Sequence, residues 1–430
     1  MARKRQRSLA EGPSDGSGSA VAATRGNHRG RRWLVVVGAG LLAAAAGVLA
    51  FVWAVEPANP GSFYDLPLAA HIGVPGSILR QVAVPTNLNG ARVSKILYAS
   101  TDRTNRPIVV SGVVVVPTGP VPPGGRPIIA WAHGTTGVAS RCAPSLEPDA
   151  GIGRIPLLRD LVAEGVVVVA TDYPGLGTPG THPYLVGESE GRAVLDSVRA
   201  AETVDRGLSS AKVVLMGHSQ GGHAVLFAAQ LAQSYAPDLH LVGVVAMAPP
   251  TDLSELLAQD VHESAGVVLT ALAITAWSHS YPNLSAGDIL ESGTRPFVDE
   301  LSRGCVEDTG QGLVDLPGVL ALQHRFLSGN PSTTPGWSEA FAANDPSPEA
   351  QLVPVLVAQG LSDPLVRPNT TIEFVKQACA HHAQIELDTY PGVGHFAVRT
   401  AALPQSLAWI RARLSGTPTV SGCIVSQIGR

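Results

Sequence analysis

Residues 217–221 read Gly217-His218-Ser219-Gln220-Gly221, a G-x-S-x-G pattern that carries the ingredients of covalent catalysis by serine. A serine hydroxyl is a weak nucleophile, so chemistry on Ser219 needs an exposed position, a base, and donors for the charge that develops. The flanking residues supply the position. Val213, Val214 and Leu215 form a short β-branched run that suits a strand buried on both faces, and the residues after Gly221 are apolar at helical spacing. Strand, sharp turn and helix in that order present the serine at the tip of the turn. Glycines beside it let strand and helix approach where a Cβ would obstruct them. The helix that follows aims its N-terminal N–H groups at charge on a substrate. The plain alternative is a glycine-rich turn that only joins strand to helix.

Base and acid are expected after Ser219, just beyond the C-terminal ends of strands, where sites form in parallel α/β sheets. Residues 353–359 (VPVLVAQ) are a strand candidate followed by Gly360-Leu361-Ser362-Asp363, and residues 384–390 (QIELDTY) are followed by a turn that ends in His395. Asp363 is therefore the expected acid and His395 the expected base, in the order Ser, Asp, His found in α/β-hydrolases. Asp252, after a predicted strand at 241–247, is the rival acid. His381 and His382 fall at the end of a helix predicted over 369–380. Asp172 precedes Ser219 and ends the predicted strand 166–171, so a structural role is expected for it. Strand 127–132 runs into His133-Gly134-Thr135-Thr136-Gly137. The main-chain N–H groups of Thr135 in this loop and of Gln220 after the nucleophile are the expected oxyanion donors, with His133 holding the loop together.

These segments resemble the secretory lipase family of α/β-hydrolases, in its bacterial branch. The resemblance rests on WAHGTTGVASRCAPS (131–145), TDYPGLGTPGTHPYLVGESEGRAVLDSVRA (171–200), GHSQGG (217–222), QGLSDPLV (359–366) and PGVGHF (391–396), in that order. It implies hydrolysis of carboxylic esters, acylglycerols included, and no cofactor. Residues 253–349 carry little that matches.

The elements that must position these residues follow in order. Residues 78–84, 93–101 and 108–116 predict an antiparallel meander, then come strand 127–132, a helix at 157–164, strand 166–171, and a helix at 188–204 with small and apolar residues on one side. About a hundred residues separate strand 241–247 from strand 353–359, far more than a plain crossover needs. They contain helix candidates at 266–277, 297–303 and 319–327. The expected fold is α/β: an α/β-hydrolase with a mostly parallel central sheet, helices on both faces and a helical cap insertion. Its parts are a hydrolase domain over 76–252 and 350–430, and a cap over 253–349 that would supply an apolar acyl pocket and exclude water. Peripheral helices without substrate contact are the alternative.

Of 430 residues, 45% are hydrophobic and the formal charge is −4, enough for a large core and no sign of nucleic-acid affinity. The charge is unevenly spread. Residues 1–32 hold eight Lys or Arg among Gly, Ser and Ala, and residues 33–55 then run 23 positions without a charge. The first part reads as a disordered basic tail. The second, about 35 Å long as a helix, reaches across a bilayer and with the flanking arginines predicts a membrane anchor with the catalytic domain outside. A long signal sequence cleaved after Ala54 is the competing reading; both export the protein. Residues 56–75 read as a linker.

Four cysteines, Cys142, Cys305, Cys379 and Cys423, allow three disulfide connectivities in an exported protein. Cys142 with Cys305 would pin the insertion beside the oxyanion loop, and Cys379 with Cys423 would tie down the C-terminal tail. Free buried thiols are the alternative. No zinc pattern occurs, and no metal or cofactor is expected. Two functions use these parts: a serine ester hydrolase (lipase or carboxylesterase), and an acyltransferase that passes the acyl group to an alcohol. A non-enzymatic surface protein on the same scaffold is a third, set against a complete set of catalytic parts.

Overall fold

Valine- and isoleucine-rich runs along the chain pair into one sheet. In the computed structural model, strands β1 (Ile78–Val84), β2 (Ala91–Thr101) and β3 (Pro107–Pro117) form the antiparallel meander. The remaining strands are β4 (Arg126–Ala132), β5 (Val167–Pro174), β6 (Ser209–His218), β7 (His240–Met247), β8 (Val355–Gly360), β9 (Ile385–Tyr390) and β10 (Cys423–Gln427). Their order across the sheet is β1-β2-β3-β5-β4-β6-β7-β8-β9-β10. β5 pairs antiparallel with β3 and parallel with β4, and every pairing from β4 to β10 is parallel. The structure describes residues 61–65, 72–260, 263–306, 319, 322–323, 325–418 and 422–428. The basic tail 1–32 and the apolar segment 33–55 lie outside them.

Helices cover both faces. They are α1 (Leu158–Ala163), α2 (Gly187–Val204), α3 (Gln220–Tyr235), α4 (Leu253–Asp260), α5 (Ser264–Ser280), α6 (Arg295–Arg303), α7 (Trp337–Asn344), α8 (Pro368–Ala380), α9 (His395–Ala401) and α10 (Leu403–Ser415). Alternate residues of each central strand point to opposite faces. Ile128, Ala130, Val213 and Leu215 pack with Ala193, Val194, Val225 and Phe374 of α2, α3 and α8. Ile129, Trp131, Val214 and Met216 pack with Leu161, Val398 and Ile410 of α1, α9 and α10. Burial on both sides is why these strands are apolar throughout instead of alternating.

Between β7 and β8 the chain builds a third apolar cluster, in which Leu272, Trp277, Trp337 and Phe341 meet Tyr184, Leu185 and Val186. Helix α5 is longer than the predicted 266–277 and is apolar on most of its surface, as a helix enclosed by neighbours should be. The predicted helix 319–327 is shorter: Val319, Leu322 and Gln323 are helical, but Phe326 and Leu327 are not, and Leu327 bridges Leu290. Short α4 and α7 escaped the sequence reading because two turns carry too little periodicity.

Two further departures concern the ends of the catalytic unit. Within the predicted linker 56–75, Tyr64 is buried and its hydroxyl meets Ser145 Oγ at 2.7 Å. The C-terminal tail forms β10, which pairs parallel with β9 from Cys423 to Gln427. A five-residue edge strand with exposed alternate positions gives no clear pattern in sequence.

Candidate active site

The elbow is strained in the manner its sequence anticipates. Ser219 has φ 56° and ψ −122° between β6 and α3, a conformation that costs a non-glycine residue of the order of 1–3 kcal/mol and persists only when its surroundings enforce it. They do. A Cβ on Gly217 would stand 2.1 Å from the Gly221 carbonyl oxygen, and one on Gly221 would stand 1.9 Å from that of Ala132. The Ser219 N–H donates to Met247 O at 2.9 Å, fixing the turn to the end of β7. Gly217 pairs with Ala132 and Ala246, so β4, β6 and β7 end level, and their loops share one rim.

His395 and Asp363 reach Ser219 from β9 and β8. Ser219 Oγ lies 2.8 Å from His395 Nε2, and His395 Nδ1 lies 2.8 Å from Asp363 Oδ2. The Asp363 carboxylate is buried, and its other oxygen accepts the N–H groups of Leu365 and Val366 at 2.9 Å each. Gln359, buried behind it, donates to Gly360 O and Val366 O and holds the turn. Arranged so, a proton leaving Ser219 has an acceptor, and the resulting imidazolium has a carboxylate behind it. The rival Asp252 is exposed and accepts the Glu255 N–H at the start of α4.

His395 does not sit in a loop, as a residue after a strand might: it is the first residue of α9. His218, the variable position of the motif, was not singled out in sequence, since any residue satisfies the pattern there. It donates from Nε2 to the main-chain oxygen of His395 at 2.9 Å, with ring centroids 4.9 Å apart. Burial first, then the neighbouring His395 and Arg399 charges, hold its pKa well below the ordinary value, so it stays neutral beside the triad geometry.

On the other side, His133 donates from Nδ1 to Gly134 O at 2.7 Å. Burial lowers its pKa to about 4, which leaves it a neutral brace of the loop. Thr135 lines the pocket with Ser219 and His395, and its hydroxyl meets Tyr184 Oη at 3.0 Å. Gln220, the first residue of α3, is buried directly after Ser219. Asp172 is buried and bound by Ser111 and Ser145; burial raises its pKa from the ordinary value. It ties the loop after Cys142 to β5.

The insertion meets the site. Ala265, Val268, Leu269 and Val306 line the same pocket as Ser219. Val306 N donates to Thr136 O at 2.8 Å, and Gly137 bridges Cys305. Cys142 is bonded to Cys305, with Cα atoms 5.3 Å apart, and Cys379 to Cys423, at 5.8 Å. Leu269 also lines a second cavity, enclosed by Leu185, Leu257, Ile274, Trp277 and Phe341. Among the described residues, no group of three His, Cys, Asp or Glu side chains is arranged to hold a metal ion.

A sheet of this order, with a strained serine after a central strand, is that of an α/β-hydrolase. Solved structures agree on the fold: Candida antarctica lipase A superposes with a TM-score of 0.73 at 22% identity, over 86% of this chain and 90% of that one. The rice cell wall degrading esterase LipA from Xanthomonas oryzae gives 0.67 at 22% identity, over 80% and 100%. Among relatives in sequence, Lipase 5 of Candida albicans is 28% identical over 85% of this chain and 83% of its own. A Mycobacterium tuberculosis protein described as a probable inactive lipase is 28% identical over 85% and 84%. The secretory lipase family model matches residues 154–422. The chain belongs to the secretory lipase family and is a carboxylic ester hydrolase of the lipase/esterase class. Membership of a secretory family agrees with export. No helix among the described residues is long and apolar enough to cross a membrane.

Proposed function

We propose that this chain cleaves carboxylic esters of hydrophobic acids through an acyl-enzyme on Ser219. The observation that carries the reading is the continuous contact from Ser219 Oγ to His395 Nε2 and from His395 Nδ1 to Asp363, 2.8 Å at each step. His395 takes the serine proton as Oγ attacks the ester carbonyl, and Asp363 holds the imidazole in the required tautomer and stabilises its cation. The main-chain N–H groups of Thr135 and Gln220 receive the oxyanion. His395 then protonates the leaving alcohol, and the same base activates water to release the acid. Residues 253–349 act as a cap over the hydrolase domain. The apolar cavity beyond Leu269 suits an acyl chain, which favours a triacylglycerol lipase or long-chain carboxylesterase. Transfer of the acyl group to an alcohol uses the same intermediate and is detected as a new ester when an alcohol is added. The site works outside the cytoplasm, with residues 33–55 as a membrane anchor or as a long signal sequence cleaved after Ala54.

The test is turnover of p-nitrophenyl esters from C2 to C16, with emulsified triolein alongside, and labelling by a fluorophosphonate. Ser219→Ala should lose both turnover and label. Labelling of that variant at the wild-type rate would place the nucleophile elsewhere.

A further inference from the structure

Two polar side chains in the first turn of α3 have no part in the steps above. Gln220 and His223 both face Glu190 of α2, and none of the three side chains reaches solvent to any extent. Glu190 Oε1 accepts the Leu185 N–H at 2.9 Å and a Gln220 Nε2–H at 2.7 Å. Its Oε2 lies 3.4 Å from His223 Nδ1. His223 Nε2 donates to the main-chain oxygen of Asn344 at 2.8 Å. Both nitrogens of His223 thus face oxygen atoms, one of Glu190 and one of the main chain at Asn344.

His182 completes the arrangement. Its Nδ1 donates to Pro174 O at 2.9 Å, and its Nε2 lies 2.7 Å from Gln220 Nε2 and 3.5 Å from Glu190 Oε1. The Gln220 amide nitrogen is thus held between Glu190 and His182, while its Oε1 is buried without a hydrogen-bond partner. A buried polar cluster is a weak source of stability, because desolvation offsets the attraction within it. Its use here is geometric.

We infer that Glu190 is a positioning residue for the oxyanion hole: with His182 and His223 it locks the Gln220 side chain and so aims the Gln220 main-chain N–H at the oxyanion. This rests on the acyl-enzyme reading with Ser219 as nucleophile. Displacement of a donor by a fraction of an ångström weakens transition-state binding more than substrate binding. The loss belongs in kcat.

The experiment compares Glu190→Gln, Glu190→Asp, Gln220→Ala and the double variant Glu190→Gln/Gln220→Ala. Each is titrated with fluorophosphonate so that kcat is expressed per labelled site, which removes misfolded protein from the comparison. Glu190→Gln and Gln220→Ala should each lower kcat roughly 10- to 100-fold with KM within about twofold. The double variant should be no slower than the slower single one, and Glu190→Asp should recover part of the rate. Wild-type kcat per labelled site in Glu190→Gln, or multiplied losses in the double variant, overturns the inference. If Glu190→Gln yields no folded protein, Gln220→Ala decides: it leaves Glu190 and His223 in place, and an unchanged kcat overturns the inference. Failure of the nucleophile assignment is recognised separately, by label on Ser219→Ala.

Discussion

At the scale of single residues, the site is built from contacts that reach one another only through the elbow. Ser219 adopts a conformation that a non-glycine residue avoids, and the glycines at 217 and 221 leave no room for any other arrangement. Asp363 is set with equal care. One oxygen is held by two main-chain N–H groups and the other faces His395. Replacing it by asparagine removes the charge and disturbs the imidazole tautomer without changing volume. Asp363→Asn should therefore cost roughly 10⁴-fold in kcat with little change in melting temperature. Asp252→Asn is the control. Steady-state rates showing the reverse, with Asp252→Asn inactive and Asp363→Asn unimpaired, would move the acid to the end of β7. Ser219→Ala and His395→Ala should each cost about 10⁶-fold, and together little more, because the two act as one unit.

At the scale of elements, the loop after β4 and the insertion behave as one piece. The Cys142–Cys305 bond, the Gly137–Cys305 bridge and the Val306–Thr136 hydrogen bond all join them beside Ser219. The Cys379–Cys423 bond joins α8 to β10, and neither cysteine lines the pocket. Serine replacement of the first pair should lower kcat as well as the melting temperature, whereas replacement of the second should lower the melting temperature alone. Equal loss of kcat from both pairs would contradict this. Mass mapping of native protein should find no alkylatable thiol. The sheet adds a pH dependence. Burial, then repulsion from Glu386, raises the Asp388 pKa to about 6. Between about pH 4 and 6 the folded state then binds more protons than the unfolded state, so this residue's contribution to stability is lost as pH rises through that window. Asp388→Asn carries no such loss. It should be more stable than wild type by roughly 1–3 kcal/mol at pH 7.5 and nearly equal to it at pH 4 in urea titrations.

At the scale of the whole molecule, a charged tail and an uncharged stretch precede the hydrolase unit. If residues 33–55 are a membrane anchor, the protein should stay in the membrane fraction through alkaline washing and need detergent for release. Soluble protein in the medium with Val55 as its first residue would dispose of the anchor and favour a cleaved signal. The apolar cavity bears on the substrate at the same scale, since Leu269 lines both it and the pocket that holds Ser219.

Local chemistry is what the sequence determines here. The elbow is legible because strand, glycine turn and helix each leave a pattern within a few residues of Ser219. Asp363 and His395 are legible because a buried strand ends just before each of them. The parallel strands of the core show as unbroken apolar runs, and family resemblance orders the segments. What the tertiary structure decides is which distant groups meet. Strand order brings β5 between β3 and β4, a placement no local pattern contains. The contact that sets Asp363 rather than Asp252 against His395 depends on the levels at which β7 and β8 end. Glu190, His182 and His223 look in sequence like charged residues of a helix, a loop and a helix; only packing buries them together against Gln220. Their chemistry comes from desolvation and shared hydrogen bonds, which belong to the folded interior and not to any stretch of chain.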